Sequence, residues 1–508
     1  MTDFTTLQGL LSTGADQDVA LLAPEAAVLT YAALRLQMRE TITALNRVGI
    51  GRNDRIAIVL PNGAEMATAF LAVAAGAASA PLNPGYRADE FEFYLNDLNA
   101  RALIVEEGSA SPAIEVARKL GVAIFTLKPA PAEGAGRFSL DVGGTPPVPA
   151  AVGGPAEPDD IALVLHTSGT TSRPKIVPLS QRNVCASARN IRASLSLTPP
   201  DRGLNIMPLF HIHGLVAAIL APLSAGSSIF CTPGFNALKF FAFMDEAKPS
   251  WYTAVPTMHQ AILTRAKHNA AVIAGNKLRF IRSSSSSLPP QVIGELEAVF
   301  GCPVVEAYGM TEAAHQMACN PLPPRKRKPG TVGIAAGPEV AIMSEDGRLL
   351  AAGDVGEIVI RGENVTAGYE NNPKANGEAF TFGWFRTGDQ GVQDDEGYIS
   401  ITGRLKEIIN RGGEKIAPRE VDEALMDHPA VLQVVTFGIP HDKLGEEVGA
   451  VVVLREGMTA SERELRDFVA TKLADYKVPK KLLFMDEIPK GATGKLQRIG
   501  LAQKLGLG

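Results

Sequence analysis

Residues His166–Lys175 read His-Thr-Ser-Gly-Thr-Thr-Ser-Arg-Pro-Lys and follow the apolar run Ile161–Leu165. Such a loop offers hydroxyls and unhindered backbone N–H groups at close quarters, with a cation at its end. That combination suits a polyphosphate. It lacks the Gly-Lys-Ser/Thr order of the common nucleotide loop, and alone it reads more readily as a plain turn. Further fragments follow in the chain: Glu306-Ala-Tyr-Gly-Met-Thr-Glu312, Thr387-Gly-Asp389 with Tyr398, Gly403-Arg-Leu-Lys-Glu407, Arg411-Gly-Gly-Glu-Lys415 and Gly491-Ala-Thr-Gly-Lys495. Each is weak alone; their order along most of the chain is specific.

Length and patterning constrain what holds these fragments. At 508 residues the chain exceeds what one core serves, so two or more domains are expected. Up to about residue 400, short β-branched runs alternate with helical patterns: a strand over Arg55–Leu60, a helix over Gly63–Ala77, a strand over Arg101–Glu106. That alternation predicts α/β layering with substantial parallel sheet. Pro129–Asp159, rich in Pro, Gly and Ala, reads as a surface connection. Beyond Gly403 the pattern changes. Pro418 suits a helix first turn, Val431–Phe437 and Ala450–Leu454 read as strands, and Ser461 with Glu464 has capping-box spacing. The expected fold is α/β: a large N-terminal domain of layered sheets and helices over 1–403, and a small α+β C-terminal domain over 404–508.

With 46% hydrophobic and 20% charged residues the composition is that of an ordinary globular protein. A net charge of −5 argues against nucleic acid or an anionic membrane as partner, so an anionic ligand must be held by local groups. The apolar window Met66–Leu82 is too short and too rich in Ala and Gly to span a bilayer, and a buried helix is expected there. Neither end carries a targeting signature, and Cys185, Cys231, Cys302 and Cys319 lack zinc or disulfide spacing. The expected compartment is the cytoplasm.

In these fragments the sequence resembles the adenylate-forming superfamily of acyl-CoA synthetases, nonribosomal adenylation domains and beetle luciferases. Met207–Gly214, Trp251–Thr257 and Phe382–Phe385 are similar to the oxalate-type acid–CoA ligases of that superfamily. The resemblance implies a two-step reaction. A carboxylate attacks the α-phosphate of ATP, releasing pyrophosphate and leaving an acyl-adenylate; the mobile small domain then rotates, and the coenzyme A thiol displaces AMP. It also implies roles. Thr167, Ser168, Gly169, Thr170, Thr171 and Lys175 would hold the β- and γ-phosphates, Thr311 the α-phosphate, and Glu312 a magnesium ion. Glu306, Ala307 and Tyr308 would line the adenine, and Asp389 would clamp the ribose diol with help from Arg404. Lys495 would bridge the carboxylate and α-phosphate, Lys406 would be the hinge, and Gly412 and Gly413 would let pantetheine approach the backbone. Most relatives carry glycine where this chain has Ser172 and Ile176.

The acid pocket is expected between Pro208–Gly214, Arg282–Leu288 and Thr311–Met317. His211 is common across the superfamily, and it is assigned to the catalytic set. His213 and His315 are unusual, and they stand beside the serine run containing Ser284 and Ser285. An apolar tail would leave these groups unpaired, at roughly 1–3 kcal/mol each. A compact second carboxylate would satisfy them. Oxalate is the smallest such acid and malonate the next; other short or medium-chain acids, or loading of a separate carrier protein, are the competing expectations. Oligomeric state, monomer or homodimer, stays open.

Overall fold

The computed structural model describes residues 4–167, 174–489 and 498–507. Four sheets organise them. The first has seven strands. At its centre Arg55–Val59 lies between Ala78–Pro81 and Ala102–Glu106, all parallel. These segments are near-continuous apolar runs because both faces of the sheet are covered. Helix Ala64–Ala74 is buried all round except at Glu65, as expected of a core helix. The apolar window is thus not one helix: the chain turns after Ala75 and Ala78–Pro81 becomes a strand. Pro129–Asp159 also departs from expectation. Phe138–Asp141 adds an antiparallel edge strand to Ala123–Pro129, and Ala135 and Phe138 are buried. At the opposite edge Ile161–Thr167 and Lys175–Ser180 form a hairpin with Thr167 paired to Lys175.

The second sheet has nine strands. Val304–Met310, Phe280–Ser283, Trp251–Ala254, Arg202–Asn205, Ser228–Cys231 and Val19–Leu22 run parallel in that spatial order. Three of these strands end just before His211, Ser284 and Thr311. Ligands of open α/β sheets bind beyond the carboxyl ends of the strands, so the three pocket segments meet on the chemically favoured edge.

A third sheet corrects the expectation of α/β layering up to residue 400. Glu339–Met343, Val355–Arg361, Phe380–Thr381, Trp384–Gln393 and Ile399–Arg404 pair antiparallel throughout. The fourth sheet contains Ile409–Arg411, Glu414–Ile416, Val431–His441, Gly445–Leu454 and Lys481–Phe484. Helix Pro418–Met426 has its proline in the first turn, and Glu462–Ala470 carries the Ser461/Glu464 capping box. Two apolar clusters fill this unit, drawn wholly from residue 409 onward. Polar contacts join it to the rest: Arg419 donates to the carbonyls of Ile401 and Gly330, and Gln260 donates to that of Leu432. Among the described residues no helix is long and apolar enough to cross a membrane, and the four cysteines are buried free thiols.

Candidate active site

Four strands of three sheets, with a 3₁₀ turn and the loop at Tyr369, carry two polar groups. Lys175 opens the strand after the Ser/Thr/Gly loop, and its Nζ lies 4.3 Å from the centroid of the Tyr369 ring. The Tyr369 hydroxyl donates to Glu312 Oε1 at 2.8 Å. Glu312 follows Thr311 in a 3₁₀ turn and is buried. Burial raises its carboxyl above the ordinary range, against the Tyr369 hydrogen bond and the charges of Lys175 and Arg404. On the other flank Tyr308 donates to Asp389 Oδ2, and Arg404 Nε donates to Asp389 Oδ1 at 3.0 Å. Asp389 is thus aligned by two donors before any ligand arrives.

Glu312 also bears on magnesium. Its carboxylate is buried with no Lys or Arg at ion-pair distance among the described residues. Desolvation of such a group is offset by a hard cation that completes its shell with phosphate and water oxygens. The donor fits the ion. Ser168, Gly169, Thr170, Thr171 and Lys495 lie outside the described residues, whereas Thr167 is the last residue of its strand.

Two imidazoles stack where the segments expected to line the acid pocket meet. His213 and His315 are fully buried, their ring centroids 4.9 Å apart and 19° from parallel. His213 begins a π-helical segment, His213–Leu220, a rare geometry that is frequent at functional sites. Its Nδ1 is 3.0 Å from Ser285 Oγ and its Nε2 2.7 Å from Thr253 Oγ1. His211 is half-buried, and its Nδ1 accepts from the His213 N–H. His315 follows Ala314, both with positive φ (+99° and +46°). The two left-handed residues fold the chain straight back from Thr311–Ala313 into His315–Cys319. Gly309 is required opposite, since a Cβ there would lie 1.8 Å from the His315 carbonyl oxygen. Strain of this kind, about 1–3 kcal/mol per residue, clusters at ligand sites.

Some expected residues are placed differently. Ser284 turns its hydroxyl to the Ala307 carbonyl at 2.8 Å, tying two strand ends together, while Ser285 faces His213. The Glu306 carboxylate accepts from the Gly330 N–H at 3.1 Å. Gly412 and Gly413 form the exposed two-residue turn between Ile409–Arg411 and Glu414–Ile416, both with the positive φ such hairpins need. Lys406 is exposed in the 3₁₀ turn Leu405–Glu407 that leads from the third sheet to the fourth. Two residues were missed. Tyr369 had a signal in the Gly368–Tyr369 pair, an aromatic at a turn. Arg282, which opens the serine run, is wholly buried against both histidines.

Glu306 gives a test of packing. Burial pushes its carboxyl up to about 8 from an ordinary 4.5, against the Gly330 N–H and the Arg419 and Arg327 charges. Across that window the folded chain keeps a proton the unfolded chain has lost, so stability falls as pH rises through it. Glu306→Gln is expected to be the more stable form at pH 8 by at least about 1 kcal/mol, a modest fraction of the shift. The advantage should vanish on acidification in paired melts; a gap constant with pH contradicts the buried neutral acid.

The chain belongs to the AMP-binding enzyme family, whose description matches residues 13–370, with the AMP-binding enzyme C-terminal domain matching 420–495. It is 45% identical to an oxalate–CoA ligase of Arabidopsis thaliana, over 99% of each chain. It is 43% identical to an oxalate–CoA ligase of Saccharomyces cerevisiae, covering 89% of this chain and 87% of that one. Among solved structures, ATP-bound MatB from Rhodopseudomonas palustris superposes with a TM-score of 0.87 at 29% identity over 98% of each chain.

Proposed function

We propose that this AMP-forming acid–CoA ligase takes oxalate, producing oxalyl-CoA, AMP and pyrophosphate in the cytoplasm. The observation that carries the acid is two buried, stacked histidines with Ser285 beside them, a polar lining that matches a compact diacid better than a fatty or aromatic tail. The oxalate–CoA ligases among its relatives support the same reading.

In this reading Thr167 and Lys175, with the hydroxyls of Ser168, Thr170 and Thr171 and the backbone of Gly169, hold the β- and γ-phosphates. Thr311 meets the α-phosphate, Tyr308 lies against adenine, and Asp389, set by Tyr308 and Arg404, accepts the ribose hydroxyls. Glu312 holds magnesium, which when bound disperses phosphate charge. His211 faces the reacting carboxylate and His213 and His315 the distal one, while Lys495 brings a cation to the attacking oxygen. The domains divide at 403/404, so that Lys406 is the hinge and the Gly412–Gly413 turn comes to the pantetheine in the second step.

Pyrophosphate release with coenzyme A across oxalate, malonate, acetate, octanoate and benzoate tests the acid. Oxalate should lead malonate by about 10–200-fold, the worth of one methylene. Preference for octanoate or benzoate overturns the diacid pocket, and ADP as product overturns the ligase. The hinge has its own test. Lys406→Pro fixes φ near −65° and removes one backbone donor, so it should slow thioester formation far more than adenylation. Wild-type rates in both steps would place the hinge elsewhere.

A further inference from the structure

We propose that Arg282 is a positioning residue that sets the tautomer of both pocket histidines, holding each neutral with Nε2 as acceptor and Nδ1–H as donor. Arg282 is the last-but-one residue of strand Phe280–Ser283, in register with Thr253 on the neighbouring strand. It is fully buried, and its guanidinium nitrogens are turned to the two rings, Thr253 and Gln316. Its Nη2 lies 3.1 Å from His315 Nε2 and 3.2 Å from Gln316 Oε1. Its Nη1 lies 3.3 Å from Thr253 Oγ1 and 3.4 Å from His213 Nε2.

A guanidinium only donates. His315 Nε2 therefore carries the lone pair, and its proton is on Nδ1. For His213 the Arg282 Nη1–H, which can only donate, makes Nε2 the acceptor, and the Thr253 hydroxyl, which accepts from Arg282, gives its own hydrogen to the same nitrogen at 2.7 Å. The Gln316 amide agrees: its Nε2 donates to Ser194 Oγ at 3.0 Å, leaving Oε1 to accept from Arg282. His213 Nδ1–H then points to Ser285 Oγ, whose own hydrogen is free to be given onward.

The charge balance points the same way. Arg282 has no carboxylate at ion-pair distance among the described residues, and its Nε has no hydrogen-bond partner there. Burial lowers its pKa to about 10, which leaves it cationic at neutral pH. A buried cation surrounded by neutral acceptors is costly. Beside it a second or third positive charge is disfavoured, so two imidazoliums stacked at 4.9 Å are not the resting state. The pair binds as polarised neutral donors. That this serves the distal carboxylate rests on the oxalate reading; the tautomers do not.

The test is the full-length protein with ring-¹⁵N histidine, read by long-range ¹H–¹⁵N correlation at neutral pH. The chain has eight histidines, and loss of signals in His213→Asn and His315→Asn identifies the two. Both should show a pyridine-type Nε2 and a pyrrole-type Nδ1. Arg282→Lys, which keeps a cationic donor, should retain the His315 pattern. Arg282→Met should lose it and raise KM for oxalate at least about tenfold, the worth of one charged hydrogen bond, with KM for ATP unchanged. An Nε2–H tautomer or an imidazolium at either ring in the wild-type protein overturns the proposal even if Arg282→Met fails to fold. So does an unchanged oxalate KM in a folded Arg282→Met. An acid panel led by another substrate would retire oxalate and leave the spectrum as it is.

Discussion

Lys495→Ala is expected to abolish acid-dependent ATP–pyrophosphate exchange while largely sparing thioester formation from supplied acyl-adenylate. The first step brings two anions together, a carboxylate and the α-phosphate, and negative charge grows on the phosphoryl oxygens as the bond forms. Lys175 is held over Tyr369 at the β,γ end of the expected phosphate path, so a second cation is needed at the reacting oxygens. Removing one transition-state donor of this kind costs about 10²–10³-fold, and a charged one at least that much. In the second step the thiol attacks the acyl carbon, and in the proposed reading the exposed Gly412–Gly413 turn, rather than Lys495, would serve it. Both half-reactions are measured on the same preparation. Equal loss in the two removes Lys495 from its assigned role, because a general folding defect or a shared binding role would act on both.

The motif residues were legible because their chemistry is local. Ser461 and Glu464 cap the helix their spacing announces, and Pro418 opens its own. The histidines and serines of the pocket were legible as a composition anomaly. The partners of these groups were not, since they depend on strand pairing across long sequence distances. Arg282 begins one of the expected pocket segments, but nothing in its neighbours names its partners. It becomes a fully buried cation against both histidines only when Phe280–Ser283 is placed between Trp251–Ala254 and Val304–Met310. Ser284 illustrates the reverse: a hydroxyl counted toward the ligand is taken by the Ala307 carbonyl. The antiparallel sheet over Glu339–Arg404 was read as continuing α/β layers, because short β-branched runs carry no mark of strand direction.

Replacing both unusual histidines tests the diacid pocket, and Arg282 changes what that replacement does. From the sequence, His213→Phe with His315→Ala leaves an apolar pocket that loses oxalate and spares butyrate. In the structure the same double variant removes acceptors from a buried guanidinium. The stranded donors cost about 1–3 kcal/mol, more because the group is charged. The double variant is therefore expected to melt earlier and to lose both acids. Adding Arg282→Met removes the stranded charge together with its partners, as replacement of a whole buried polar cluster by apolar groups is often neutral or stabilising. The triple variant should regain stability over the double one. Its kcat/KM for oxalate should fall by about 10⁴-fold, the discrimination of a site that hydrogen-bonds its substrate, with that for butyrate equal to or above wild type. Pyrophosphate release with each acid, alongside the three melting curves, separates the outcomes. Unchanged oxalate turnover in the triple variant would sink the pocket. Full recovery of butyrate already in the double variant would show that Arg282 does not depend on the rings, since non-additivity of this kind arises only between groups that share a network.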